Sequence, residues 1–399
     1  MKTLVLNCGS SSVKYKLFDM GQQIVLAQGL AERIGMGGSK MSHLCGEKKV
    51  HFEQPLPGHR EAVEMILHIL THQEHGVLKD VMEIGAVGHR VVHGGDKFKR
   101  PVVVSNEVLN SLEEVSKLAP LHNPPNIMGI RVCRQLISHA VNVAVFDTAF
   151  HQTMPDYAYM YAIPYEYYKN LNIRKYGFHG TSHKYVAQSA AEMSDKKSES
   201  LRIITCHLGN GASLCAVKGG ESVETTMGFT PLAGIVMGTR SGDVDPAIIS
   251  YIADKEGLSL SQVEEILNKK SGVLGISGVS SDFRDLEQAA AEGHSRARLA
   301  LEMFVYSVAR GIGSLLPGLG GLDILVFTAG IGENSPEIRS RVCSALKYMG
   351  VMVDEQKNLR RGMKVEISTP GSAVKVLVIP TDEERMIAQE TVEMAISTF

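Results

Sequence analysis

Apolar runs broken by tight Gly, Ser and Asn turns set the rhythm of this chain. Residues 3–19 (Thr-Leu-Val-Leu-Asn-Cys-Gly-Ser-Ser-Ser-Val-Lys-Tyr-Lys-Leu-Phe-Asp) predict a strand, a tight turn and a second strand. Residues 203–217 (Ile-Ile-Thr-Cys-His-Leu-Gly-Asn-Gly-Ala-Ser-Leu-Cys-Ala-Val) repeat that design, with Gly9 falling opposite Gly209. Turns of small residues let backbone N–H groups approach an anion, because no Cβ stands in the way. Two such turns, one per half, predict a duplicated fold that grips a polyphosphate between its halves.

The rest of the first half alternates helices and strands. Val63, Ile66, Leu67 and Leu70 have helical spacing and predict a helix over 59–72. Residues 84–92 read as a strand, 106–117 as a helix capped by Ser105, and 141–147 as a buried strand ending in Asp147. The Pro- and Tyr-rich stretch 154–168 lacks periodicity and reads as a crossing between domains, with the second half beginning near 151. In that half a Gly-rich loop spans 227–242, Asp245-Pro246 opens a helix, and 295–316 form a long apolar helix. A strand at 323–328 runs into a turn at 329–334, and Ser335-Pro336 caps the next helix. Val374–Ile379 is the last strand, after which Thr381-Asp-Glu-Glu384 fits a capping box. That box commits Glu384 to structure and leaves Glu383 free. Segments 36–50 and 194–200 read as polar, solvated loops. Strands alternating with helices place the chain in the α/β class.

Composition narrows the functions. With 399 residues, 44% hydrophobic and 21% charged, the chain is long enough for two domains of ordinary globular make-up. A net charge of −2 argues against a nucleic-acid surface, so an anionic ligand must be held by locally placed Arg, Lys, metal or N–H groups. Met1-Lys2 leads straight into a strand, and the most apolar stretch, 311–327, is interrupted by Pro317 and glycines. These features predict a cytosolic protein with no membrane partner. The six cysteines form no Cys-x-x-Cys pair and read as buried, reduced thiols.

Familiar ligand motifs are missing. There is no Gly-x-x-x-x-Gly-Lys-Ser/Thr loop, and Gly330-Ile-Gly332-Glu-Asn-Ser335 has Ser where a dinucleotide fingerprint needs its third Gly. His89/His93 and His179/His183 have ligand-like spacing, but neither forms a His-Glu-x-x-His motif. More telling are Arg90, Asp147, His179 and Arg240, each set in a Gly-rich or apolar loop near a phosphate-type turn. One such residue alone would read equally as a structural ion pair or as a functional group, but the four together are hard to explain structurally.

Five motifs carry a resemblance that runs from Met1 to the C-terminal helix. They are Leu6-Asn-Cys-Gly-Ser-Ser-Ser12, Gly177-Phe-His-Gly-Thr-Ser-His183, His207-Leu-Gly-Asn-Gly211, Met237-Gly-Thr-Arg-Ser-Gly-Asp243 and Gly330-Ile-Gly-Glu-Asn334. On these the chain resembles the acetokinase family, within the sugar-kinase/actin/heat-shock-chaperone ATPase superfamily. The resemblance implies two duplicated actin-like, ribonuclease H-like lobes with a nucleotide cleft between them. The N-terminal lobe would be 1–150 plus 382–399, and the C-terminal, nucleotide-binding lobe 151–381. It implies reversible transfer of the ATP γ-phosphoryl group to acetate, directly and in line, in a homodimer that uses Mg²⁺ or Mn²⁺. It implies that Asn7 and Glu383 sit at the metal, and that Arg90, Asp147, His179 and Arg240 surround the migrating group. It further implies that Lys14, His207, Leu208, Gly209, Asn210, Gly211, Asp282, Phe283, Arg284, Gly330, Ile331, Gly332, Glu333 and Asn334 contact the nucleotide. Cys8 departs from the family, which usually has a smaller residue there, but touches no matched catalytic position.

Chemistry suggests how these residues would divide the work. Carboxyl groups titrate near 4, so acetate is ionised at neutral pH and needs no base. Asp147 is therefore expected to orient the metal through water or to brace an arginine. Val92, Leu121, Phe178 and Pro231 stand beside the catalytic positions and suit a methyl-sized acyl pocket. The family's propionate-directed members tend to be smaller at the position of Val92, which favours acetate. A propionate or butyrate kinase is the first alternative, separable by kcat/KM across the three acids. A non-catalytic ATP clamp on the same fold is the second, separable by ATPase activity indifferent to acetate.

Overall fold

A computed structural model describes residues 1–194 and 196–397. Asp195, in the segment read as a polar loop, and residues 398–399 at the end of the N-terminal lobe lie outside the described residues. Two compact units emerge, Met1–Phe150 with Asp382–Phe399, and His151–Thr381.

The first unit is built on eight strands: β1 (Lys2–Cys8), β2 (Ser12–Asp19), β3 (Ile24–Glu32), β4 (Lys40–Cys45), β5 (Lys48–Glu53), β6 (Ile84–Val91), β7 (Val102–Val103) and β8 (Val141–Phe146). Their order is β5-β4-β3-β2-β1-β6-β8-β7. β1 to β5 form an antiparallel meander, while β6 runs parallel to β1, and β8 parallel to β6. β1 is apolar on both faces because both are covered. Leu4, Leu6 and Cys8 pack with residues of the helices His59–Leu70 and Asn123–Leu136, whereas Val5 packs with Ile387 and Ala388 of the C-terminal helix. Gly88 of β6 is needed there, since a Cβ would come within 2.4 Å of Thr391 Oγ1.

The second unit has six strands: β9 (Arg202–Leu208), β10 (Ala212–Lys218), β11 (Glu221–Thr225), β12 (Ile324–Thr328), β13 (Val365–Glu366) and β14 (Lys375–Val378). Their order is β11-β10-β9-β12-β14-β13. β12 is parallel to both β9 and β14. The series β11-β10-β9-β12-β14 thus repeats β3-β2-β1-β6-β8 in order and direction, as a duplicated α/β fold requires. Thr205 and Ser213 turn toward the helix Gly180–Glu192, and the next residue, Leu214, turns the other way, toward Gly311 of the helix Ser295–Leu319.

Several expectations need correction. Segment 36–50 is not a loop: it holds β4 and the start of β5, with Met41 and His43 buried and the polar Ser42 between them. Alternation at a sheet edge is short and polar, so it mimics loop composition. Residues 154–168 contain the helix Asp156–Tyr159 and the start of Tyr165–Leu171. The helix after Asp245 begins at Ala247, one residue later than expected, although Asp245 Oδ1 still accepts from Ala247 N at 2.9 Å. Residues 329–334 form a short helix, with Ala329 at φ +63°. The helix Ser295–Leu319 carries Pro317 and is long and apolar enough to cross a membrane by length and composition, contrary to expectation; half of its apolar window is buried in the protein.

The capping box at Thr381 does not form. The C-terminal helix spans Glu383–Ile396 and is capped by Asp382, which accepts from Arg385 N at 3.2 Å. Thr381 instead donates its N–H to Glu333 Oε1 at 3.1 Å, and its hydroxyl meets Ser182 Oγ at 2.8 Å. Both Thr and Asp are competent caps, and here Lys16 holds Asp382 at 2.9 Å while Thr381 is engaged elsewhere. Glu383 and Glu384 therefore open the first turn.

Candidate active site

In the first unit the candidate residues gather where parallel strands end, the usual place for ligands in open α/β sheets. Asn7 lies near the end of β1, Arg90 near the end of β6, and Asp147 directly after β8. Arg90 donates from Nε to Asp147 Oδ1 at 3.1 Å and from Nη2 to Oδ2 at 2.6 Å. Its Nη1 reaches Asn7 Oδ1 at 3.4 Å. Asp147 is buried, and this fork neutralises it. The first-unit geometry thus gives Asp147 an arginine to brace.

Glu383 joins this group through its charge. Burial pushes its carboxyl up to about 7, and the neighbouring Asp147 and Glu384 carboxylates add to the effect against Arg90 and Lys14. Glu384 is occupied otherwise. It pairs with Lys14 at 2.5 Å and Lys16 at 3.5 Å, and Lys16 also holds Asp382 at 2.9 Å. Lys14, expected at the nucleotide, is thus an ion-pair partner of Glu384. Asn7, Asp147 and Glu383 offer hard oxygen donors, which suit a hard divalent cation. Among the described residues no group of three or more His, Cys, Asp or Glu could hold a metal alone.

The two acyl-pocket candidates of this unit differ. Val92 is half-buried and donates its N–H to Asn126 Oδ1 at 3.1 Å. Leu121 is 75% exposed. Sequence reasoning missed Asn126, whose amide also donates to Cys8 O at 2.6 Å and so ties the ends of β1 and β6 together. Its signal was the Asn-Pro-Pro-Asn run at 123–126. Cys8 itself is buried against Gly129, and burial pushes its thiol up to about 12, an unreactive setting.

In the second unit His179 and Arg240 converge on Gly211. A Cβ built there would stand 3.3 Å from Arg240 Nη1 and 3.6 Å from His179 Nε2. His179 occupies the left-handed region, φ +56°, at the start of the helix Gly180–Glu192, a strained geometry typical of functional positions. Its ring stacks on His207 at 4.1 Å. Arg240 donates to Pro231 O at 3.1 Å, and burial lowers its pKa from the ordinary arginine value. Phe178 is buried.

Beside these residues opens a pocket of ≈ 450 Å³. Of the nucleotide candidates, Gly209, Asn210, Asp282, Phe283, Arg284, Gly330, Ile331 and Asn334 line it. They come from the turns ending β9 and β12 and from the start of the helix Phe283–Ala291. Asp282 caps that helix and grips Arg284, whose hydrogen bonds hold its carboxyl down at about 2. The other candidates do not line this wall. His207 lies under His179, Leu208 is buried, and Gly332 packs on Phe327, where a Cβ would stand 3.3 Å from its carbonyl carbon. Glu333 receives Thr381 N–H, and Gly211 faces Arg240 instead. Ser281, Glu287, Ser335 and Arg361 complete the wall and carried no sequence signal beyond the cap at Ser335.

The glycine turns work differently from the expectation that their N–H groups stay open to an anion. Gly9 N–H donates to Ser12 O at 2.8 Å, and Gly209 N–H to Gly211 O at 3.1 Å. Both turns close on themselves and shape the strand ends rather than offering those two donors.

Comparison with known proteins places this arrangement. A profile of the acetokinase family matches residues 2–389. The acetate kinase of Clostridium botulinum (strain Hall) is 57% identical over 396 residues, covering 99% of this chain and all of the relative. The crystal structure of Porphyromonas gingivalis acetate kinase superposes with a TM-score of 0.95 at 47% identity, covering 98% of this chain and 99% of that one. A propionate kinase from Francisella tularensis superposes with a TM-score of 0.92 at 45% identity, with the same coverage.

Proposed function

This chain belongs to the acetokinase family, and from that premise we propose that it transfers the γ-phosphoryl group of ATP to acetate, reversibly and with Mg²⁺, giving acetyl phosphate and ADP. The observation that carries the reading is 57% identity to an acetate kinase along essentially the whole of both chains.

Phosphoryl transfer asks a protein mainly for alignment and for charge stabilisation on the equatorial oxygens. Acetate arrives ionised, so no residue need remove a proton from it. Arg90, steadied by Asp147 on two of its donors, turns Nη1 from its 3.4 Å contact with Asn7 Oδ1 to the acetate carboxylate. His179 and Arg240 supply a hydrogen-bond donor and a permanent charge for the migrating group. The family resemblance assigns Val92, Leu121, Phe178 and Pro231 to the methyl group, and of the two in the first unit Val92 is half-buried and Leu121 is 75% exposed. The pocket at Asn210, Asp282, Phe283 and Ile331 takes the nucleoside part, and Lys14 exchanges Glu384 for a phosphate oxygen. Asn7 and Glu383, with Asp147 through water, would hold Mg²⁺ or Mn²⁺. The cation, when bound, shields the phosphate charges. A cytosolic homodimer is part of this proposal and follows the family.

The Francisella relative keeps a propionate kinase in view as the second reading. A hydroxamate assay for acyl phosphate, with ATP, Mg²⁺ and acetate, propionate or butyrate, decides among the readings. The expected order is acetate first, propionate poor but real, butyrate last. A higher kcat/KM for propionate would move the assignment to the second reading, and ATP turnover indifferent to any acid would overturn both.

A further inference from the structure

Behind His179 lies a file of buried polar side chains that the reaction as outlined does not use. His179 Nδ1 is 2.8 Å from Ser213 Oγ, and the same oxygen is 2.8 Å from His183 Nε2. His183 Nδ1 is in turn 2.7 Å from Thr205 Oγ1. Thr205, His183 and Ser213 have no solvent exposure. They sit where the helix Gly180–Glu192 meets β9 and β10, a contact that apolar side chains would ordinarily fill.

Ser213 Oγ could accept from both rings, but its buried proton would then go unpaired, so a file with every hydroxyl proton used can point only one of two ways. A hydroxyl has one proton to give, and a neutral imidazole has one N–H. His183 is neutral at pH 7, because burial, aided by His151 and His207, holds its pKa well below the ordinary histidine value. In one direction Thr205 donates to His183 Nδ1, His183 Nε2–H to Ser213, and Ser213 to His179 Nδ1. The proton of His179 then sits on Nε2, the nitrogen that faces Gly211 beside Arg240. In the other direction Thr205 donates to Cys215 O, every bond reverses, and a neutral His179 turns a lone pair toward the anion. The distances choose between them: Thr205 Oγ1 is 2.7 Å from His183 and 3.4 Å from Cys215 O.

We propose that Thr205, His183 and Ser213 are positioning residues that fix the tautomer of His179, so that its Nε2–H is presented to the transferring phosphoryl group. The role of that donor rests on the function proposed above, but the tautomer itself does not. The polar file is what sets an orientation that the strained backbone at His179 alone leaves to either nitrogen.

The test is the ring ¹⁵N spectrum of the full-length, ¹⁵N-histidine-labelled protein, with His179 assigned by its loss in His179→Gln. The wild type should show His179 protonated at Nε2 and unprotonated at Nδ1. Thr205→Val, which keeps side-chain shape, should shift His179 toward the Nδ1–H form and lower kcat by roughly 10–100-fold, with KM for ATP and acetate within about twofold. Thr205→Ser should restore both, and Ser213→Ala should disturb the tautomer as Thr205→Val does. A wild-type His179 protonated at Nδ1, or a tautomer unmoved in both Thr205→Val and Ser213→Ala, overturns the proposal. If wild-type protein makes no acyl phosphate, the proposed function fails, while the spectra still judge the relay.

Discussion

The guanidinium of Arg90 and the carboxylate of Asp147 meet at two points, Nε to Oδ1 at 3.1 Å and Nη2 to Oδ2 at 2.6 Å. On the function proposed above, this fork lets a second carboxylate stand close to an anionic acceptor, because Arg90 already matches its charge. Asp147→Asn keeps the shape but puts an amide donor against one arm of the fork. We expect kcat to fall about 100-fold or more, as for loss of one charge-stabilising group. The pH–rate profile should keep its shape, because Asp147 moves no proton. An ionisation that vanished from the profile while Mg²⁺ affinity stayed normal would make Asp147 a base and sink this account.

Glu383 gives the protein a pH dependence of its own. Its carboxyl titrates near 7 in the fold, through burial and the neighbouring carboxylates, against about 4.3 in an unfolded chain. A raised folded pKa contributes stability that is full below the unfolded value and is lost as pH rises through 7. The metal-free protein should therefore lose Tm between pH 5 and 8, with a limiting slope of roughly 1.4 kcal/mol per pH unit. Glu383→Gln should flatten that loss, and Mg²⁺ should raise Tm at pH 8 in the wild type far more than in the variant. Thermal melts of both proteins across pH, with and without Mg²⁺, check the expectation; equal Mg²⁺ effects would remove Glu383 from the metal.

How much of this was legible in the chain follows from where each residue is buried. β1, β2, β9 and β10 are central strands, so their apolar runs and closing glycines announce them. β4 and β5 lie toward an edge, where β4 buries only Met41 and His43 and β5 buries none, and were hidden in loop-like composition. Thr381 and Asp382 are both good caps, and local pattern could not choose between them; Lys16, hundreds of residues earlier, holds Asp382 in place. Arg90, Asp147, His179 and Arg240 stood out because charged groups in apolar or Gly-rich settings are costly without a purpose. Arg361 and Glu287 reach the pocket beside Gly209 and Gly330 only through the fold, so no local spacing could reveal them.

Glu384 should separate cleanly from its neighbour. Burial alone would raise its pKa, but Lys14 and Lys16 outweigh that and lower it. Its contribution to stability is therefore present above the unfolded carboxyl pKa and lost as pH falls through the lowered folded one. Glu384→Ala takes away the partner of Lys14 and leaves Lys16 with Asp382 alone, and should cost about 1–3 kcal/mol of stability at pH 7, with Mg²⁺ affinity changed less than twofold. Urea melts and Mg²⁺ titrations of the two alanine variants check this. Equal metal defects in Glu383→Ala and Glu384→Ala would refute the division.

Val92 offers a test of acyl selection. It follows Arg90 by two residues, and its backbone is pinned to Asn126 at 3.1 Å, so shortening the side chain should open space without moving the strand end. One methylene in an apolar pocket is worth about 1–3 kcal/mol. Val92→Ala should raise the propionate-to-acetate ratio of kcat/KM by roughly tenfold, within that range. A ratio left unchanged would take Val92 out of the pocket.

Gly211 should set stability and activity against each other. Its backbone lies outside the positive-φ region, so alanine is conformationally acceptable there. A change from glycine also narrows the unfolded ensemble, worth about 0.4–1 kcal/mol in favour of the fold. The added methyl, however, would stand 3.3 Å from Arg240 Nη1 and 3.6 Å from His179 Nε2, in the space those two groups share. We expect Gly211→Ala to keep or slightly raise Tm while kcat falls about 10-fold or more, since a misplaced charge-stabilising donor is felt directly at the transition state. Gly330→Ala is the matched control. No atom lies within 4 Å of a Cβ at that position, which lines the nucleotide pocket. Its methyl should raise KM for ATP and leave kcat nearly unchanged. Measuring Tm, kcat and KM on the same preparations distinguishes the two glycines, and an unaffected kcat in Gly211→Ala would mean that Arg240 and His179 do not share that space during turnover.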